Sequence, residues 1–269
     1  MYWNKIYRKK LAEKYRSIFK SEKKPKWAVK KINNPSEILH PAIPFVGKDY
    51  DKTRLIVYAS AENLSSYKNE KKGNLDDDNK AIFRRYSNLN KGEYFPDLHC
   101  APVGNGQLLI VSAYILKKLN YKITYDNAYE FISYIAADNL GKFSKVGNSN
   151  SDYIGDWNFL KYSKKYIEAD LQILQPKMII LPYKAYEINE INELINSYVP
   201  SCICIPIYQM YPQNINLKDR ISKYPKRRKN NIDPLIWEWH ENISDKNIHK
   251  DNFRSVYNYL DYIIKKYIK

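Results

Sequence analysis

Four short runs of uninterrupted apolar residues punctuate the chain: Leu55–Ala59, Phe131–Ala136, Met178–Leu181 and Cys202–Ile207. Runs of this length, continuous rather than alternating, are what strands buried on both faces of a parallel sheet require. Between them the apolar positions recur at helical spacing. Leu108, Val111, Ser112, Ile115 and Leu119 make one stripe, and Leu160, Ile167, Leu171 and Leu174 make a second that runs directly into Gln175-Pro176-Lys177. The segment 184–198, with Ile188, Ile191 and Ile195 on one side, predicts a third helix. Phe253, Val256, Tyr257, Leu260, Ile263, Ile264 and Tyr267 predict a last one near the C-terminus. At the other end, Ile6, Leu11, Tyr15, Ile18 and Phe19 predict a basic helix that stops before Pro25. Pro35, Pro41 and Pro44, with the Asn33-Asn34 pair, mark an extended connection.

Strands alternating with helices predict an α/β fold: a three-layer α/β/α sandwich around a central, mostly parallel four-stranded sheet. Such sheets bind ligands outside the carboxyl ends of their strands, so the residues after each apolar run are the candidates for chemistry. After the first run, Ser60–Tyr67 carries Glu62 and Asn63; the same stretch also suits a helix N-terminus, since Ser and Asn are good caps. After the second, Ala137–Phe143 holds Asn139, whose amide both donates and accepts, and Lys142, a cation suited to a phosphate. Asp138-Asn139-Leu140-Gly141 is equally an ordinary turn. After the fourth, Tyr208–Asn216 mixes tyrosines, glutamines and an isolated Ile215. It is followed by Lys218, Arg220, Lys223, Lys226, Arg227, Arg228 and Lys229. A basic run behind an aromatic loop at a strand's carboxyl end suits phosphate contacts; elsewhere it is simply a solvated face. The loop from Phe95 to Gln107 offers one wall of a pocket, with His99 on it, although turn formation accounts for its Gly and Pro equally well. No Gly-rich phosphate cradle occurs.

Composition adds charge and compartment. In 269 residues, 45 Lys plus Arg face 29 Asp plus Glu, a formal net charge of +16. That excess suits a polyanionic partner, although a chain with 26 Tyr and many Lys, Asn and Ile also fits drift in an AT-rich genome. No apolar stretch approaches the ~20 residues needed to span a bilayer. The first residues lack the apolar core of a signal peptide. Cys100, Cys202 and Cys204 are too few for a disulfide framework. These features together predict a cytoplasmic protein without a membrane partner. Asp49, Asp51, Glu70 and Asp76–Asp78 are the candidate ligands of a metal-dependent nuclease. The Asp triplet follows Lys-Lys-Gly-Asn, however, and reads as a solvated loop. His40, His99, His240 and His249 have no metal-ligand spacing, so neither metal nor cofactor is expected.

In this order the positions resemble the uracil-DNA glycosylase superfamily over roughly residues 41–217. Pro44-Phe45-Val46-Gly47, the strand from Leu55 and Ala61-Glu62-Asn63 are similar to its first motif. Ala137-Asp138-Asn139-Leu140-Gly141-Lys142 resembles its Thr-Asn-x-x-Lys segment. Leu171-Gln172-Ile173-Leu174-Gln175-Pro176-Lys177, running into an apolar strand, is similar to its helix–strand junction. Tyr211-Pro212-Gln213-Asn214-Ile215-Asn216 falls where the family has His-Pro-Ser-Pro-Leu-Ser, with Tyr211 in place of the His. The resemblance implies one glycosylase-like domain over 1–269: a basic helical extension (1–40), an α/β core (41–217) and a basic loop with a C-terminal helix (218–269). It implies a monofunctional DNA glycosylase that flips a base out of DNA and hydrolyses its glycosidic bond. Glu62 with Asn63 would be catalytic, Asn139, Tyr211, Gln213 and His99 would contact the base, and Ile215 would wedge the vacated space. Lys142, Lys218, Arg220, Lys226, Arg227 and Arg228 would hold DNA. A modified base, such as a phage hypermodified cytosine removed in anti-phage defence, is favoured over uracil removed in repair. A catalytically inactive DNA-binding module of the same fold is the other alternative.

Overall fold

The computed structural model describes residues 4–31, 34–61, 112, 115–116, 118–121, 133–144, 160–207 and 264–268. Its named elements run α1 (Lys5–Ser21), β1 (Phe45–Val46), α2 (Tyr50–Thr53), β2 (Leu55–Ala61), β3 (Ile135–Gly141), α3 (Leu160–Leu174), β4 (Met178–Pro182), α4 (Tyr183–Tyr186), α5 (Asn189–Tyr198) and β5 (Ile203–Ile207).

The basic N-terminal helix forms where the pattern predicts it. The Asn4 side-chain oxygen accepts from the backbone N–H of Ile6 at 3.0 Å and of Tyr7 at 3.3 Å, satisfying two of the donors a helix start leaves open. Leu11, Ala12, Tyr15 and Ile18 make its buried stripe, and the chain turns extended at Glu22, ahead of Pro25. Replacing Asn4 with Ala should lower stability by about 1 kcal/mol. An unchanged denaturant midpoint would show that this cap contributes nothing.

The sheet has the order β1-β3-β2-β4-β5. β2 pairs in parallel with β3 and with β4, and β4 with β5, while β1 runs antiparallel along β3. Among the described residues the architecture is therefore mixed α/β with five strands, where the sequence pattern predicts four. The extra strand makes only two pairs, Phe45↔Ala137 and Val46↔Ala136, and is too short to leave a periodic signal. A second correction moves a strand. The run Phe131–Ala136 predicts β3, but pairing with β2 extends from Leu55↔Ile135 to Ala61↔Gly141. Ser133 and Tyr134 form a short 3₁₀ turn ahead of it. Asp138 and Asn139, expected in a loop, lie inside a strand whose seven residues are all buried.

The predicted helix over 184–198 is divided into α4 and α5 around Glu187 and Ile188, and Ile188 caps the second part in an extended conformation. α3 keeps its predicted bounds. Gln175 follows it with φ 46°, its N–H bonded to Leu171 O at 3.0 Å, and Pro176 blocks continuation. Arg54, at φ 51°, closes α2 and accepts from the N–H groups of Lys177 (2.8 Å) and Met178 (3.2 Å). That carbonyl sets the start of β4 beside the start of β2. Of the stripe over 108–119, Ser112, Ile115, Leu116 and Lys118 are helical, and of the C-terminal stripe 264–267 are helical.

Both faces of the sheet are dry. Ile56, Tyr58, Ala136, Leu140, Ile179 and Leu181 share one apolar cluster with Leu11, Tyr15, Ile167 and Ile195 from the helices. The alternate positions Leu55, Val57, Ile135 and Ile180 are buried as well. From β2 the chain goes to β3 on one side, returns past β2 to β4, and continues to β5. This reversal puts a topological switch point at β2 and β4, and all four parallel strands end on one edge.

Candidate functional site at the carboxyl end of β3

In its carboxyl half β3 carries two adjacent polar residues that strand alternation sends to opposite faces. Asp138 lies across from Tyr58 of β2, on the face covered by α1 and α3. Asn139 lies across from Ala59, on the other. The two faces build two different environments.

On the first face, Lys142 returns beneath the sheet, and its ammonium is fully buried. It donates to Asp138 Oδ2, to Asp170 Oδ2 at 2.6 Å and to the Tyr15 hydroxyl at 2.9 Å, so all three of its protons are placed. Its backbone N–H is held by Ser163 Oγ at 3.1 Å. Tyr15 donates to Asp170 Oδ1 at 2.8 Å, and Tyr58 donates to Asp170 Oδ2 at 3.2 Å. The same ammonium sits 5.5 Å from the Tyr15 ring centroid and 5.6 Å from that of Tyr58, a cation–π contact to both.

Two carboxylates around one ammonium leave a surplus negative charge in a dry interior, where an uncompensated charge is costly. Burial, reinforced by the charge of Asp138, pushes the Asp170 carboxyl up to about 8, against the pull of Lys142. Burial first, and then the two carboxylates, also raise Tyr15 and Tyr58 well above the ordinary phenol range, which keeps both as neutral donors. The geometry accommodates the proton. With Asp170 protonated on Oδ1, the carboxyl donates to Tyr15, and the Tyr15 proton turns to Asp138 Oδ2, 3.2 Å away.

On the second face Asn139 is 0% exposed, and neither its amide nitrogen nor its amide oxygen has a hydrogen-bond partner among the described residues. Its neighbours on that face are small: Ala137 and Gly141 along β3, and Ala59 across on β2. An unmet buried amide costs about 1–3 kcal/mol, and this one can both donate and accept.

Lys142, expected at a DNA phosphate, is corrected by this geometry: its charge is neutralised inside the fold, away from solvent. Asn139, expected in a loop after the strand, lies within β3 and is fully buried. Glu62, Asn63, His99, Tyr211, Gln213, Ile215, Lys218, Arg220, Lys226, Arg227 and Arg228 lie outside the described residues. β2 ends at Ala61, the residue before Glu62, and Ala61 pairs with Gly141, two residues beyond Asn139. Sequence reasoning missed Tyr15, Tyr58, Asp138 and Asp170. A usable signal was Asp170 itself, a carboxylate at helical spacing from Ser163, Ile167 and Leu174 on a stripe that is otherwise nearly apolar.

Among the described residues, no group of three or more His, Cys, Asp or Glu side chains is arranged to hold a metal, and no helix is long and apolar enough to cross a membrane. No protein-family model, curated protein or solved structure matches the chain. The functional reading stands on the residues of the chain alone.

Proposed function

We propose that the protein is a DNA glycosylase similar to the uracil-DNA glycosylases, built on a three-layer α/β/α core. It acts in the cytoplasm and releases a modified base, with hypermodified cytosine favoured over uracil. The observation that carries this reading is the buried amide of Asn139, without a hydrogen-bond partner among the described residues, near the carboxyl edge of a parallel strand pair. The chain continues from the neighbouring strand into Glu62 and Asn63.

The mechanism follows from charge. Extruding a base from the stack costs a few kcal/mol, which contacts to the DNA backbone offset. Asn139 then completes its hydrogen bonds with the edge of the extruded base. As the bond between C1′ and the base nitrogen lengthens, its electron pair leaves with the base and the sugar becomes cationic. The Glu62 carboxylate stabilises that cation and takes a proton from the attacking water, whose oxygen bonds to C1′. Asn63 positions the water, Tyr211 and Gln213 hydrogen-bond the leaving base, and the proton ends on the base.

The test is abasic-site formation on duplexes carrying uracil, hydroxymethylcytosine or glucosylated hydroxymethylcytosine. Asn139→Ala and Glu62→Gln should each slow release at least ~100-fold, the usual effect of removing one such hydrogen-bonding or charged group, with DNA affinity nearly unchanged. Full activity in both variants would refute the assignment. Release of uracil alone would keep the glycosylase but overturn the preferred substrate. DNA binding without any abasic product would favour the inactive module.

A further inference from the structure

A second feature lies on the same edge of the molecule. The last turns of α1, Lys31 and the residues from Ser36 to His40 enclose a groove of about 640 Å³, within the ~300–1,000 Å³ range of ligand sites. Arg16, Lys20, Lys24 and Lys31 line it against a single carboxylate, Glu37, which pairs with Lys31 at 2.6 Å. The Phe19 and His40 rings stack with centroids 3.5 Å apart and planes 23° from parallel, and the Lys24 ammonium sits 4.7 Å over Phe19. Phe19 is thus engaged by a ring and a cation and His40 by Phe19, so what the groove mainly offers is cations. Such a surface reads phosphates, not bases.

Backbone hydrogen bonds locate the groove relative to β3. Val29 N–H donates to Ser144 O, three residues beyond the end of β3, and Leu39 N–H donates to Val29 O, both at 2.8 Å. Two such steps, each about 5 Å between neighbouring chains, lead from the carboxyl edge of the sheet to His40. The cations therefore flank the edge at which Asn139 waits.

We propose that this groove holds the phosphodiester backbone of DNA beside the nucleotide being read. The proposal takes its partner from the function proposed above and adds cations that are separate in sequence from the basic run over 218–229. Long-range steering by the +16 chain alone would be indifferent to where a lysine sits; a track would not.

The experiment is a salt titration of full-length protein with a fluorescent unmodified duplex, read by anisotropy. Lys20→Gln with Lys24→Gln should weaken binding about tenfold and flatten the slope of log affinity against log salt by ~1.8, which is ~0.9 for each phosphate no longer neutralised. Lys48→Gln with Lys177→Gln removes the same charge at the amino end of the sheet, from exposed side chains, and should leave the slope within ~0.3 of the parent. Circular dichroism on both variants establishes that each is folded. Equal slopes in the two double variants would overturn the proposal, as would binding of a free deoxynucleoside monophosphate in the groove without binding of the duplex. Because the probe carries no modified base, the outcomes separate. A groove effect without base release by the parent keeps the track and refutes the glycosylase. Base release abolished by Asn139→Ala, with unchanged slopes in the groove variant, does the reverse.

Discussion

Lys142→Met will destabilise the protein by about 3–5 kcal/mol, the range for removing one partner of a fully buried ion pair. The methylene stem is kept, so the loss isolates the ammonium. Without it, Asp138 and Asp170 face each other across the Tyr15 hydroxyl with no cation between them, and Tyr15 is deprived of the donor at 2.9 Å. The cluster joins α1, β2, β3 and α3, so the damage spreads to four elements rather than one. Adding Asp138→Asn to Lys142→Met removes the stranded charge and should recover more than half of the loss. Recovery of that size is the signature of electrostatics, since cavity formation would make the second change additive. Urea denaturation followed by far-UV circular dichroism measures both. A single-variant loss below ~1 kcal/mol, the scale of an exposed ion pair, would contradict the buried geometry.

Raising the pH from 5 to 8 will weaken the fold through Asp170. Its carboxyl moves from the usual 3.8 up to about 8 in the folded chain. Between those values the folded protein keeps a proton that the unfolded chain has released. The stabilisation is complete below pH ~4 and is lost as the pH climbs through ~8, at up to ~1.4 kcal/mol per pH unit. Asp170→Asn mimics the protonated carboxyl, so its stability at pH 4 should stay within ~1 kcal/mol of the parent, in the manner of a preserved hydrogen-bond network. As the pH rises from 4 to 8 it should increasingly exceed the parent, because the amide has no proton to lose in the unfolded chain. Denaturation curves at four pH values, compared between the two proteins, isolate this residue from every other titrating group. Parallel pH profiles would show that Asp170 is ionised throughout.

Much of this fold is legible in the chain. Leu55–Ala59 and Met178–Leu181 become strands because residues dry on both faces leave no polar alternation to misread. Cys202–Ile207 is legible from its apolar run, although Ile203 and Cys204 at the sheet edge are half-buried. β3 misleads for the opposite reason. Its last five residues include Asp138, Asn139 and Gly141, a composition that local propensity assigns to a turn, and tertiary pairing with β2 overrides it. The apolar lead-in at Phe131 attracts the strand assignment instead. β1 is set by its neighbour and not by its own two residues. The candidate site divides in the same way. Asn139 is legible because its chemistry is local: one amide at one strand end. The cluster around Lys142 is not, because its members stand at positions 15, 58, 138, 142 and 170, and no spacing rule links them. Lys142 read alone is a surface cation, and only the carboxylates folded over it change that.

The Tyr15–Asp170 bond joins residues 155 positions apart. At synthesis rates of ~5–20 residues per second, the first helix leaves the ribosome roughly 8–30 s before its anchoring carboxylate exists. Throughout that interval Leu11, Tyr15 and Ile18 lack the cover that the helix Leu160–Leu174 supplies. α1 is made well before the partner that secures it, so the nascent polypeptide depends on late docking, or on a chaperone, to escape aggregation.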